Sequence, residues 1–171
     1  MTARRRKATP DEVRALAHPL RLRIIRVLYD GPRSNKELAT ELGEDPATVL
    51  YHVRTLVRNG FLAPAGRRTG ARGSVEKLYR STGKSWRLDV DAGLPQGARV
   101  TAAALDAFLA EVRAAGPGAQ LETTRLALTL SADRRAELNR RLTDLLDEFA
   151  GDDDPDGEPW ALFLARHRRP Q

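Results

Sequence analysis

The sequence contains no cysteine. This absence excludes disulfide bonds, thiolate metal sites and thiol redox chemistry. Aromatic residues are also scarce, at 5% of the 171 residues. No apolar run approaches the roughly 20 residues of a membrane-spanning helix, and the basic start lacks the apolar core of an export signal. We therefore predict a cytoplasmic protein with no membrane partner.

Motifs of catalysis and metal binding are missing as well. The sequence has no P-loop, no GxSxG nucleophile turn, no HExxH zinc motif and no glycine-rich dinucleotide turn. The acidic stretch from Asp152 opens like a calcium loop, but its twelfth position is Phe163 instead of a bidentate glutamate. His18, His52 and His167 are scattered along the chain. We therefore predict no enzyme activity, no cofactor and no metal site.

Charge is abundant and unevenly divided. The net charge is +6, but residues 1–90 hold 19 Lys and Arg against 9 Asp and Glu, whereas residues 91–171 hold 10 against 14. A basic half followed by an acidic half is typical of a DNA-binding module joined to a second module. Residues 1–10 form a basic arm, which either follows DNA phosphates or serves as a solubilising tail.

Local signals predict two short helices joined by a tight turn. Ser34 and Glu37 have the spacing of a capping box, which opens a helix that Gly43 ends. Asp45 then caps a second helix, and Gly60 ends it. Two short helices with a glycine-containing turn between them are typical of a helix-turn-helix.

The second of these helices combines an apolar stripe with a polar face. Val49, Val53 and Leu56 recur at helical spacing. Arginine on the other face suits guanine or phosphate, while threonine and tyrosine offer hydroxyl groups. The candidate DNA contacts in the two helices are Ser34, Ala47, Thr48, Tyr51, His52, Arg54 and Arg58. An ordinary amphipathic helix with a solvated face would show the same pattern.

A β-hairpin with a basic tip is predicted after the second helix. Two short apolar runs flank residues 67–74, where glycines permit a reversal of the chain. Arg67, Arg68 and Arg72 would lie at this tip, and we predict that they contact phosphate or the minor groove. Charged tips also protect edge strands, which is the alternative explanation.

Residues 11 to about 90 resemble the ArsR-type bacterial winged-helix regulators. The resemblance lies in LAHPLRLRIIRVL, which contains His18, and in SNKELATELGEDPATVLYHVRTLVRNGFL. It implies a homodimeric repressor that binds double-stranded DNA at an inverted-repeat operator, and in many members a metal or small molecule releases the DNA. Since this chain lacks the thiolates of the metal sensors, any effector would be a small organic molecule or a protein. A winged-helix module for protein–protein interaction, with incidental DNA contact, is the alternative function.

We predict an α+β fold in several parts. The basic arm covers residues 1–10, the winged helix-turn-helix covers 11–90, a linker covers 91–99, and a C-terminal domain for dimerisation or sensing covers 100–171. Within the C-terminal domain, periodicity predicts helices over 100–115 and 132–149 and strands over 124–130 and 160–165. The Ala-rich stripe of the first of these helices makes it the predicted dimer interface.

Overall fold

The computed structural model divides the chain close to residue 120. It describes residues 5–70, 73–91, 93–119, 121–150, 154, 156–158 and 160–168. One compact unit covers residues 3–119, and the other contains residues 120–171. The helix predicted over 100–115 therefore belongs to the first unit, although the sequence placed it at the start of a separate domain.

Five helices make up most of the first unit. They are α1 (Pro10–Leu16), α2 (Pro19–Val27), α3 (Asn35–Leu42), α4 (Pro46–Arg58) and α5 (Pro95–Ala115). The predicted capping box is confirmed, because the Ser34 hydroxyl accepts from the Glu37 N–H and the Glu37 carboxylate accepts from the Ser34 N–H. Gly43 ends α3 with a left-handed φ of 68°, which leaves only two residues before α4 begins.

Short strands complete this unit. They are β1 (Arg6–Lys7), β2 (Arg33–Ser34), β3 (Leu62–Thr69), β4 (Val75–Ser81) and β5 (Leu88–Asp89). The order β2-β4-β3 forms an antiparallel sheet, and β3 with β4 is the predicted hairpin, hereafter the wing. The register of the wing shifts between Pro64 and Arg67, where three steps on β3 oppose two on β4. Gly66 occupies this bulge with a φ of 100°.

The core lies beneath α2, α3, α4 and the base of the wing. Ile24, Leu38, Val53 and Leu56 are fully buried, and Phe61 fills the space where the chain leaves α4. These side chains come from every element of the helix-turn-helix. Their burial therefore fixes the rotation of α4 about its own axis, which decides what its outer face presents.

Helix α5 packs against α1 and α2 through small residues. Gly97, Ala103 and Ala107 are buried, and small side chains let helices approach closely. The Ala-rich face that the sequence assigned to a dimer interface is therefore used within the chain. Leu105 and Leu109 lie exposed on α5.

The second unit contains one helix, α6 (Ala132–Phe149). Both predicted strands are wrong, because residues 124–130 and 160–165 form no strand in the described part of the chain. Alternation of apolar and polar residues shows which side chains share a face, but a strand also requires a neighbouring backbone to pair with. None of the residues described between 121 and 168 is buried. Among the helices that the structure describes, none is long and apolar enough to cross a membrane.

Residues 5–8 are held in the fold, in contrast to the free arm or tail that the sequence predicted. Strand β1 pairs in parallel with β5, and the Arg5 guanidinium lies 4.2 Å from the centre of the Trp86 ring. The Arg6 guanidinium donates to both oxygens of the buried Glu12 carboxylate at 2.6 and 2.8 Å. A charged partner and a hydrogen-bonded backbone thus hold residues 5–8 against the first unit.

Glu12 joins three parts of the first unit. Besides Arg6, its carboxylate accepts from the Thr9 N–H at 2.8 Å and lies 2.7 Å from Lys84 Nζ. These donors hold the pKa of Glu12 well below its usual range, chiefly through the hydrogen bond from Arg6. Lys84 Nζ also donates to the Asn59 carbonyl at 2.6 Å, at the end of α4. The carboxylate thus connects the first strand, α1 and the end of α4.

We expect Glu12→Gln to lower the free energy of unfolding by on the order of 2 kcal/mol, because a neutral amide cannot satisfy two cations. Re-solvation of Arg6 and Lys84 keeps the loss below that of a fully buried pair. Thermal and urea unfolding would measure it. Asp11→Asn is the matched control, since its ion pair with Arg14 is exposed and contributes little. Equal stability of the Glu12 variant and the control would contradict this role.

Candidate nucleic-acid interface

Helix α4 is fixed at its start by a cap. Asp45 Oδ1 accepts from the N–H groups of Ala47 and Thr48 at 2.8 and 3.1 Å. The side-chain amide of Asn35 donates to the Pro46 carbonyl at 2.9 Å and so ties the start of α3 to the start of α4. Since one face of α4 is buried in the core, these contacts hold the opposite face in a defined orientation.

The exposed face of α4 contains most of the residues that the sequence singled out. Tyr51 is 67% exposed, and its position three residues before Arg54 places both on one stripe of the helix. Five of the predicted residues are exposed on this helix: Ala47, Thr48, Tyr51, Arg54 and Arg58. We call this surface the α4 face. It offers hydroxyl groups, a methyl-bearing surface and two guanidinium groups.

Two of the predicted contact residues lie inside the protein. His52 is 7% exposed, and its ring packs against that of His18 with 4.3 Å between the ring centres. Ser34 is 2% exposed, and its hydroxyl caps α3. The sequence named both as candidate DNA contacts, with packing as the alternative for His52. The structure corrects this assignment, since the two side chains position α3 and α4 from beneath.

The two histidines are held in their neutral form. Burial, together with smaller effects of nearby His18 and Arg21, lowers the pKa of His52 from its ordinary value of 6.5 to about 4. Burial also lowers the pKa of His18, whose Nδ1 accepts from the Leu20 N–H at 3.2 Å and caps α2. The two rings, tilted by 44° to one another, therefore join the start of α2 to α4 without a charge. His18 is thus a structural residue.

The two arginines of the wing that the structure describes differ in their surroundings. Arg67 is exposed and lies opposite Lys77 on β4. Arg68 Nη2 donates to Glu37 Oε1 and to Glu76 Oε2, each at 2.8 Å, so that it ties the wing to α3. Both carboxylates raise the pKa of Arg68. Arg72, the third predicted wing contact, lies outside the described residues.

Sequence reasoning missed two exposed cations beside these residues. Lys77 faces the same part of the wing as Arg67, and Lys36 lines the groove between α3 and the wing. The position of Lys77 depends on the register shift at Gly66, for which the sequence offers no signal beyond the glycine itself. Lys36 is the second residue of α3 after the Ser34 cap, so its place in the first turn of α3 was available from the sequence.

The His18–His52 pair makes stability depend on pH. The folded-state pKa of His52 lies below the unfolded value, so the unfolded chain takes up a proton first as the pH falls. We expect the free energy of unfolding to decrease by on the order of 1–2 kcal/mol between about pH 7 and 5. Most of this decrease should be absent in His52→Gln. His167→Gln, a variant of an exposed histidine, should keep it. Urea unfolding at each pH measures the difference, and identical slopes for wild type and His52→Gln would refute it.

Comparison with known proteins identifies a domain in the first unit. Residues 16–64, which include α2, α3 and α4, match the model of a helix-turn-helix domain. No curated protein matches the chain.

Two solved structures show a weaker likeness. One is described as a possible transcriptional regulator for arsenical resistance, with 26% identity over 58% of this chain and 85% of that chain and a TM-score of 0.34. The other is the adhesin competence repressor of Streptococcus pyogenes, with 18% identity over 80% of this chain and 81% of that chain and a TM-score of 0.30. Both TM-scores are too low to support a conclusion about the overall fold. The domain match, the two capped helices, the tight turn and the paired wing show that the chain carries a winged helix-turn-helix, a fold that occurs in DNA-binding transcriptional regulators.

Proposed function

We propose that this protein is a homodimeric repressor that binds an inverted-repeat operator in double-stranded DNA. The observation that carries the proposal is the α4 face, which projects Tyr51, Arg54 and Arg58 from a helix whose other side is locked in the core. A helix held in this way can enter the major groove as a rigid body. With DNA as its partner, the protein would act in the cytoplasm.

The side chains of the α4 face match the chemistry of base edges. A guanidinium can donate two parallel hydrogen bonds to guanine O6 and N7. In the proposed complex Arg54 makes this contact with a base, and Arg58, one turn later, contacts the DNA backbone. The Tyr51 ring provides apolar contact together with a hydroxyl. Phosphate contacts then come from Arg67 and Lys77 on the wing and from Lys36 at the start of α3. The charges that face DNA are therefore fewer than the basic composition suggests, because Arg6, Arg68 and Lys84 are paired with carboxylates.

Dimerisation follows from the geometry of an operator. One winged helix reads only one half-site, and two copies related by a two-fold axis read an inverted repeat. Occupying a promoter in this way blocks transcription, which makes repression the expected outcome. Release by an effector would be a coupling free energy between a second site and the two α4 faces. We assign the effector to small organic molecules or proteins, because the chain has no thiolate to offer a soft metal.

We expect Tyr51→Ala and Arg54→Ala each to weaken specific binding by on the order of 1–3 kcal/mol, because each removes a contact to base edges. The measurement is a gel-shift titration on the DNA upstream of the protein's own gene, with unrelated DNA as competitor. Arg99→Ala removes an exposed arginine from α5 and is the matched control. Unchanged affinity of the folded Tyr51 and Arg54 variants would instead favour the protein–protein interaction module.

Substitutions of the two described wing arginines should differ in their effect on the salt dependence of DNA affinity. Arg67→Gln is expected to lower affinity on every sequence and to reduce the salt dependence by about one phosphate contact, or roughly 0.9 in slope. Arg68→Gln should leave the slope nearly unchanged, because two carboxylates already neutralise that guanidinium. An equal loss of slope in the two variants would show that Arg68 leaves its carboxylates to contact DNA.

A further inference from the structure

Helix α6 carries a partly exposed apolar stripe. Leu138, Leu142, Leu145 and Phe149 recur at spacings of four and three residues, which places them on one face. Leu145 is 51% exposed and Phe149 is 66% exposed. On one flank of this stripe, Arg166 Nη1 donates to Asn139 Oδ1 at 2.6 Å, so the C-terminal segment lies there. The other flank, which carries Arg134, Arg141 and Glu148, is exposed and is called the open flank below.

The charges along the open flank have the order that the helix dipole disfavours. Arg134, Arg141 and Glu148 follow one another at intervals of seven residues along it, and all three are exposed. Cations are disfavoured near the N-terminus of a helix and carboxylates near its C-terminus, yet Arg134 lies in the first turn and Glu148 in the last. Arg141 is already paired with Glu137 at 2.6 Å. Asp133 offsets part of the positive charge in the first turn, but Arg134 and Glu148 themselves gain nothing from the helix dipole in these places.

An antiparallel neighbour of the same sequence removes this conflict. It would place Glu148 of the partner subunit beside Arg134, and the two-fold axis would repeat the pair at the other end. The two Arg141 side chains would meet at the axis, where each keeps the ion pair with Glu137 of its own helix. Each Arg134 would also lie near the negative end of the neighbouring helix dipole. The two apolar stripes would then cover one another, with Leu138 against Leu142 of the partner subunit. A two-fold contact of this kind is self-complementary, as homodimer interfaces are.

We propose that two copies of the chain pair through antiparallel α6 helices, with Arg134 of each against Glu148 of the other. The inference deepens the proposed function, because it rests on a homodimeric regulator and names the surface that joins the subunits. The segments before and after α6 in the sequence also have exposed apolar side chains, which a second copy can cover: Leu126, Leu128, Trp160 and Leu162.

Charge reversal in the full-length protein tests the pairing. Arg134→Glu and Glu148→Arg should each raise the dimer dissociation constant about tenfold at low salt, because an attractive pair becomes repulsive at both ends. The double variant should return to within about threefold of wild type. Each substitution places a favourable charge at its helix terminus, so loss of dimer cannot be attributed to a weakened helix. Arg113→Glu, an equal charge change at an exposed position on α5, is the control and should have no effect. Sedimentation equilibrium provides the constants.

Single cysteines test the orientation, since the natural chain has none. In the proposed register Arg135 faces Leu145 of the partner subunit, so a mixture of Arg135→Cys and Leu145→Cys proteins should form a disulfide between them under mild oxidation. Either variant alone should not, because two equivalent residues lie ten positions apart along the pair, or about 15 Å. Disulfides within each single variant and none in the mixture would indicate a parallel pair and overturn the proposal.

The failure of this interface can be told from failure of the proposed function. A dimer that is indifferent to both charge reversals, yet binds its operator, would refute the α6 pairing and leave the regulator intact. A wild-type chain that is monomeric at micromolar concentration would refute both the pairing and the homodimer. Failure of the double variant to recover, with the control unaffected, would refute the α6 pairing alone.

Discussion

The burial of one face of α4 is the constraint on which the rest of the DNA-binding unit depends. Val49, Val53 and Leu56 have no exposed surface, so α4 cannot rotate without opening the core. The Asp45 cap and the Asn35 side chain fix its start, and Lys84 fixes its end through the Asn59 carbonyl. Reading a base sequence requires side chains held within a fraction of an ångström. In the proposed complex with DNA, that precision comes from the residues that bury and cap α4.

Carboxylates sort the basic residues into two groups. Glu12 takes up Arg6 and Lys84, and Glu37 together with Glu76 takes up Arg68. These cations stabilise the fold, and their charges are largely neutralised before any partner arrives. Arg54, Arg58 and Arg67 belong to the second group, exposed on the α4 face and the wing. The net charge of a DNA-binding protein therefore overstates the charge that its interface presents.

Sequence reasoning succeeded where the signals are local. The Ser34 capping box, the Gly43 turn and the Asp45 cap each lie within a few residues of the element they start or end, so helix bounds and the exposed face of α4 could be predicted. Contacts between distant residues could not. The pairing of β1 with β5 and the tie from Arg68 to Glu37 join residues 31 or more apart and leave no periodic trace. The sequence left open whether His52 contacts a phosphate or packs inside the protein, because helical spacing alone did not show that the His18 ring lies beside it.

The bulge at Gly66 has a consequence for the wing as a whole. Successive side chains of a strand point to opposite faces, so one additional residue exchanges the faces of everything beyond it. In β3 that additional residue lies just before the two arginines, and it directs Arg68 towards α3 and leaves Arg67 exposed. Without this residue the two side chains would exchange faces, so that Arg67 would point towards α3 and Arg68 would point away from it. The bulge at Gly66 thus determines which side chains at the tip of the wing point towards α3.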